Sequence, residues 1–293
     1  MLNAARGLAK LSLHEATRRA LHGDGARLSS LLAALLEARK RSAALAADGR
    51  PPVGLDAQLP GVVVRLAFCL GNLTAAHDGN RAILGAAGAG PLVDALAASA
   101  ASFLAAGGDN DDGADDDGGR EGEQVLIKLI RLVANVSIHP EMGDVAAHGT
   151  GAAALLPLLE ASLARDREEL ALNVVSCVTN LSYYVLRRPG SPPPRRGRGS
   201  LFGRPATACA ALLGALLHEN AEAVSEAARA FGNLSRDASF RAAMRETGAD
   251  EALVLLLGHA SRAVLESITA RRPARGIFKP LYLAQIELVF HDS

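Results

Sequence analysis

Apolar residues recur along this chain in long stretches with the 3.6-residue period of a helix, and four of those stretches end alike. They read GVVVRLAFCLGNLT, EQVLIKLIRLVANVS, ELALNVVSCVTNLS and AVSEAARAFGNLS, with an asparagine late in each: Asn72, Asn135, Asn180 and Asn233. Each is predicted to be the long helix of a recurring unit. After the Asn, a glycine punctuates the next stretch in three cases: Gly88 in AAGAGPLVDAL, Gly151 in HGTGAAALLPLL and Gly248 in RETGADEALVLLL. The unit therefore reads as a short helix, a glycine break where only small side chains tolerate the backbone, a Leu-rich second helix and the Asn-bearing third. Two amphipathic helices, residues 1–22 and 26–47, are expected ahead of the first unit.

Composition narrows the fold to all-α. The hydrophobic content of 49% is mostly Ala, Leu and Val, with 3% aromatic residues and no Trp, a mix suited to helices that approach closely. Zero formal net charge gives no overall field toward nucleic acid or an anionic membrane, so neither is expected as a partner. Cys69, Cys177 and Cys209 are far apart, without CxxC or metal spacing, which fits a reducing compartment. The N-terminal MLNAARGLAKLSLHEATRRAL lacks the uninterrupted apolar core of a secretory signal. It has the basic amphipathic character of some transit peptides, but Glu15 and the continuing helical pattern favour a first helix. The four Asn-x-Ser/Thr matches thus read as parts of packed helices, not sugar acceptors. The longest charge-free helical run, 170–186, is too short and too polar to span a bilayer.

Successive asparagines lie 63, 45 and 53 positions apart. The two longer intervals contain low-complexity segments, GGDNDDGADDDGG and RRPGSPPPRRGRGS; removing roughly 15 residues for each brings all three near the period of about 40–47 that marks armadillo and HEAT arrays. Three helices with a late Asn in the third resemble the armadillo type. The organisation expected is residues 1–58 as N-terminal helices and linker, 59–258 as about four repeats of an armadillo-type right-handed superhelix, and 259–293 as a divergent tail. An acidic disordered insert is expected at about 107–122 and a basic Pro/Arg-rich one at about 187–204. After Gly258 no Asn-bearing third helix follows, so the array reads as incomplete at its C-terminal end.

The resemblance extends to a particular family. RLAFCLGNLTA, LIKLIRLVANVSIHP, EELALNVVSCVTNLSYY and EAARAFGNLSRD, with Tyr183 and Tyr184 closing NLSYY and His139 and Pro140 closing IHP, are similar to third helices of the ciliary and flagellar armadillo-repeat proteins across residues 60–258. That resemblance implies a non-enzymatic scaffold or adaptor for assembling motile cilia, located in the cytoplasm and cilium. Its implied partners are axonemal complexes such as radial spokes or the central pair, and the intraflagellar transport machinery. It implies no cofactor and no small-molecule substrate. Two rivals share the fold: a nuclear import receptor and a static axonemal subunit. Import receptors of this type place Trp four residues before the Asn, where this chain has Phe68, Arg131, Ser176 and Arg229.

Asparagine is a poor helix former, so a helix that keeps one should use its amide. Positions seven and four before each Asn share its face. They give Arg65, Phe68, Asn72; Lys128, Arg131, Asn135; Asn173, Ser176, Asn180; and Glu226, Arg229, Asn233. Stacked side by side, these would line an inner groove whose amides hold the backbone of an extended segment while cations meet its carboxylates, favouring an acidic or neutral ligand. The alternative is that each Asn ties its own repeat to its neighbour and the charges are the wet side of amphipathic helices.

Other signals carry less. GAAGAGPLV follows a helix, not a strand, and has the wrong spacing for a nucleotide loop. The run Asp109 to Asp117 offers no frame with calcium-loop spacing. The segment Arg187 to Arg204 lacks a series of aromatics interleaved with its arginines to stack bases, and Ser191-Pro192 is a minimal phosphorylation signal. No HExxH or GxSxG occurs, and the eight histidines show no paired ligand spacing.

Overall fold

The computed structural model describes residues 1–48, 53–75, 77–106, 117–186 and 200–258, and all regular structure among them is helical. The helices are α1 Leu2–Leu11, α2 Glu15–Ala20, α3 Gly25–Ala47, α4 Leu59–Ala75, α5 Asp78–Ala106, α6 Asp117–Val136 and α7 Pro140–His148. They continue as α8 Leu155–Ala164, α9 Glu168–Ser182, α10 Pro205–Leu216, α11 Ala221–Leu234, α12 Ala238–Thr247 and α13 Ala249–Leu255. Local chemistry sets many boundaries. Asp24, Asn220 and Asp237 cap α3, α11 and α12 by accepting from first-turn N–H groups. Pro140 and Pro205 open α7 and α10, where a missing N–H is harmless.

Three-helix units follow one another: α2–α3–α4, then α5 with α6, then α7–α8–α9, then α10–α11, and a further unit begun by α12–α13. The third helices form a stack in which α4 packs on α6, α6 on α9 and α9 on α11. Leu66, Leu70, Ile127, Ile130, Val174, Val178, Ala227 and Phe231 from these helices are buried in one continuous core. By length and composition, segments Asp56–Ala75 and Asp78–Ala105 match membrane spans, yet Val63, Leu66, Leu84, Leu92 and Leu96 within them are buried among neighbouring helices.

The N-terminal region differs from the two helices expected over 1–22 and 26–47. Residues 1–22 break at Ser12–His14 into α1 and α2, and α1 packs along α4 as a third helix ahead of the first unit. The glycine breaks also differ in kind. Only Gly248 has a left-handed backbone, φ 74°, where it caps α12. Gly88 kinks α5 with φ −174°, which any residue adopts; it is small because an added Cβ would sit 2.9 Å from Leu32 Cδ2. At Gly151 a Cβ would meet the Val93 carbonyl oxygen at 2.8 Å.

The fourth unit has no first helix among the described residues. Instead Leu201 and Phe202 are buried, with the Phe202 ring edge-on to His148 at 5.3 Å and Phe240 at 6.1 Å, so a short segment fills the space between first helices α7 and α12. Helix α6 begins at Asp117, inside the stretch 107–122 read as an insert, and Ser200–Phe202 is buried inside the stretch 187–204. Residues 107–116 and 187–199 of those inserts, with the Ser191-Pro192 signal, and residues 259–293 lie outside the described residues.

Candidate functional site

All twelve stripe residues lie on the outward side of the stacked third helices: Arg65, Arg131 and Arg229 are exposed and the other nine half-exposed. The four asparagines share one wall, at the same level of α4, α6, α9 and α11.

The amides are already engaged. Asn135 Nδ2 donates to the Gly71 carbonyl at 3.1 Å, Asn180 Nδ2 to the Ala134 carbonyl at 3.2 Å and Asn233 Nδ2 to the Thr179 carbonyl at 3.3 Å. Each acceptor is the residue just before the preceding rung's Asn, late in its helix; Gly71 also accepts from Thr74 Oγ1 and Thr179 from Ser182 Oγ. In α6, Val133, Asn135 and Val136 are satisfied by the N–H groups of Ser137, Ile138 and His139, and the Ala134 carbonyl takes its bond from Asn180 across the rung. Asn233 also donates to Ser182 Oγ at 3.0 Å. Asn72 continues the series by donating to Ser12 Oγ at 2.9 Å, which places α1 as the rung before α4. Of the two roles open to the asparagines, the tie between repeats is the one these bonds supply.

Charge along the wall is uneven. On the first two rungs Lys128 lies over the Phe68 ring, 5.9 Å from its centroid, with Arg65 and Arg131 nearby. Arg131 donates from Nε to Asn173 Oδ1 at 2.6 Å and pairs with Glu169 at 3.3 Å. Burial first, then Arg131 and Arg65, holds the Lys128 ammonium below its ordinary pKa, with Glu169 opposing. On the last rung Glu226 pairs with Arg229 at 2.5 Å; burial pushes the Glu226 carboxyl up and Arg229 opposes it. Ser176 makes no side-chain hydrogen bond among the described residues.

Sequence reasoning missed a second set of contacts beside the wall. Arg18 donates to the Ser12 and Leu13 carbonyls, Arg81 to those of Thr74 and Ala75, and Arg241 to that of Ser235, so a first-helix arginine clamps the end of the third helix before it. The signal was a Ser or Thr followed six or seven positions later by Arg. The third unit lacks that Arg; there Tyr184 Oη donates to the Ser137 carbonyl at 2.7 Å. Cys69, Cys177 and Cys209 are buried and free, and burial pushes the thiols of Cys177 and Cys209 up to about 12. Among the described residues no three His, Cys, Asp or Glu side chains group as metal ligands.

Three-helix units stacked through a ladder of third helices define an armadillo-type α-solenoid. The chain superposes on a computationally designed armadillo repeat protein for modular peptide recognition with a TM-score of 0.58, covering 92% of this chain and 90% of that one at 18% identity. In sequence it is similar to armadillo repeat-containing protein 2: the mouse protein is 33% identical over 179 residues, 60% of this chain and 20% of that protein. The human protein is 38% identical over 118 residues, 40% of this chain and 12% of its own length. What is matched is thus a fifth or less of each relative. No family model matches the chain.

Proposed function

We propose that this chain is a non-enzymatic scaffold that grips a segment of a partner protein along the wall of third helices and serves the assembly of motile cilia or flagella. In this reading it works in the cytoplasm and cilium, linking axonemal cargo such as radial spokes or central-pair components to intraflagellar transport. The observation that carries the binding role is the stripe of exposed Arg65, Arg131 and Arg229 and the half-exposed residues between them, shared by four third helices whose other faces form the core. The ciliary assignment draws on the similarity to armadillo repeat-containing protein 2. An import-receptor role is disfavoured because Phe68, Arg131, Ser176 and Arg229 stand where Trp would sandwich a lysine stem, and the cations repel Lys-rich signals. Proximity labelling by the full chain in growing flagella is expected to mark axonemal and transport proteins. A labelled set without either would sink the ciliary reading.

A further inference from the structure

Building on the reading of the wall as a partner-binding surface, we infer that its first two rungs form a subsite for acidic side chains, in which Arg65, Lys128 and Arg131 hold carboxylates or phosphates borne by an extended segment of the partner.

Among the described residues neither Arg65 nor Lys128 has an ion-pair partner, and Arg131 shares the single carboxylate of Glu169. Three cations thus crowd two adjacent helices with one acid between them, a costly arrangement that an incoming anion would relieve. The fold does not require it. The third rung has Asn173 and Ser176 at the matching positions and packs equally well, and the fourth neutralises Arg229 with Glu226. Phe68 beneath Lys128 limits the directions its ammonium can take.

Three residues past each Asn lie Ala75, Ile138, Tyr183 and Arg236, at or just beyond the helix ends; Ala75, Ile138 and Tyr183 are exposed, Ile138 46% and Tyr183 53% accessible, and the Arg236 guanidinium lies over the Tyr183 ring, 5.1 Å from its centroid. An extended strand laid across the rungs sends alternate side chains to opposite sides. Acids toward the cations would then alternate with apolar residues toward Ile138. A protein segment fits better than RNA: Phe68 is covered by Lys128, and on the last rung Arg229 is already neutralised by Glu226, so the cations do not run on along the wall as a continuous polyanion would need.

The test is fluorescence anisotropy on the full chain with fluorescein-labelled peptides alternating Glu with Leu, phosphoserine with Leu, or Lys with Leu, and a single-stranded RNA of matched length. The Glu and phosphoserine peptides are expected to bind and the Lys peptide not; their relative affinities show which anion the subsite prefers. Arg65→Glu and Lys128→Glu should each weaken binding about fivefold or more and flatten its salt dependence, whereas Arg229→Glu should change it less than about twofold. Melting curves establish that each variant is folded. No binding of either acidic peptide, equal losses in Arg229→Glu and Arg65→Glu, or tighter binding of the RNA or Lys peptide would overturn the subsite. Retention of flagellar partners by an Arg65→Glu/Lys128→Glu chain would overturn the subsite while leaving the scaffold role intact. Peptide binding without flagellar partners would do the reverse.

Discussion

Replacing Asn180 tests whether the amide column holds the rungs together. Its Nδ2 donates at 3.2 Å to the Ala134 carbonyl in the last turn of α6. Asn180→Ala removes a bond worth about 0.5–1.5 kcal/mol and regains about 0.5 kcal/mol of helix propensity, so the net loss should stay near or below about 1 kcal/mol. Asn180→Asp keeps the shape but presents an oxygen to that carbonyl, at the negative end of the α6 dipole, and should cost about 2–3 kcal/mol at pH 7. At roughly 2–4 °C per kcal/mol, that is about 4–12 °C in melting temperature. The new carboxyl should have a raised pKa in the folded state, because its protonated form donates to the carbonyl and its charged form is repelled. Relative to wild type, the deficit should therefore be small below the unfolded value of about 3.9 and grow as pH rises through the folded pKa. Thermal melts followed by circular dichroism between pH 3.5 and 7 measure this. An Asn180→Asp variant no less stable than Asn180→Ala at pH 7, or a deficit that does not vary with pH, would refute the strut.

Three further substitutions or reagents probe the core. Phe202→Ala deletes a ring 1% exposed and wedged between His148 and Phe240, and should cost about 3–5 kcal/mol in urea unfolding; a loss below about 1 kcal/mol would mean the segment before α10 does not stand in for a first helix. Gly143→Ala would place a methyl on the Tyr184 ring and the Ser137 carbonyl oxygen, costing about 2–3 kcal/mol, and Gly143→Ala/Tyr184→Ala should not recover it because the carbonyl stays. With the Cys177 and Cys209 thiols pushed up to about 12, a disulfide reagent at pH 8 should label neither in the folded chain and both in denaturant. Their contribution to stability is whole below the unfolded thiol pKa of about 8.5 and is lost as pH rises toward 12.

Much of the repeat was legible because a late Asn in a helical run is conspicuous. Asn72, Asn135, Asn180 and Asn233 fall on one wall as their spacing predicts. What spacing cannot report is which way an amide turns. A polar side chain at a helix surface meets either solvent or the next helix, and the late-helix carbonyls of Gly71, Ala134 and Thr179, within reach of the next rung, decide for the latter. The rung formed by α1 was hidden for a related reason: it meets Asn72 through Ser12, so it lacks the Asn that marked the others. Gly88 and Gly151 are legible as breaks that admit only small side chains, but the neighbours that impose this, Leu32 and Val93, leave no trace near them in sequence. Tyr184 was read as a mark of resemblance, and its role appears only once Gly143 lets its ring reach Ser137.

The division of labour along the stripe constrains how any partner can be held. A solenoid unit touches only its neighbours, so the spacing between rungs is set locally, here by the asparagine amides that α6, α9 and α11 each direct to the helix before it. Those donors cannot also supply the main attraction for a ligand without loosening the stack that presents it. The discriminating groups must then be ones the architecture leaves uncommitted. By that criterion Arg65 and Lys128 stand apart from Arg229, which Glu226 already neutralises, and from Asn173, which is bonded to Arg131 and to the Glu169 carbonyl. Specificity should therefore reside in the first two rungs, and the last two should set the length of segment that fits.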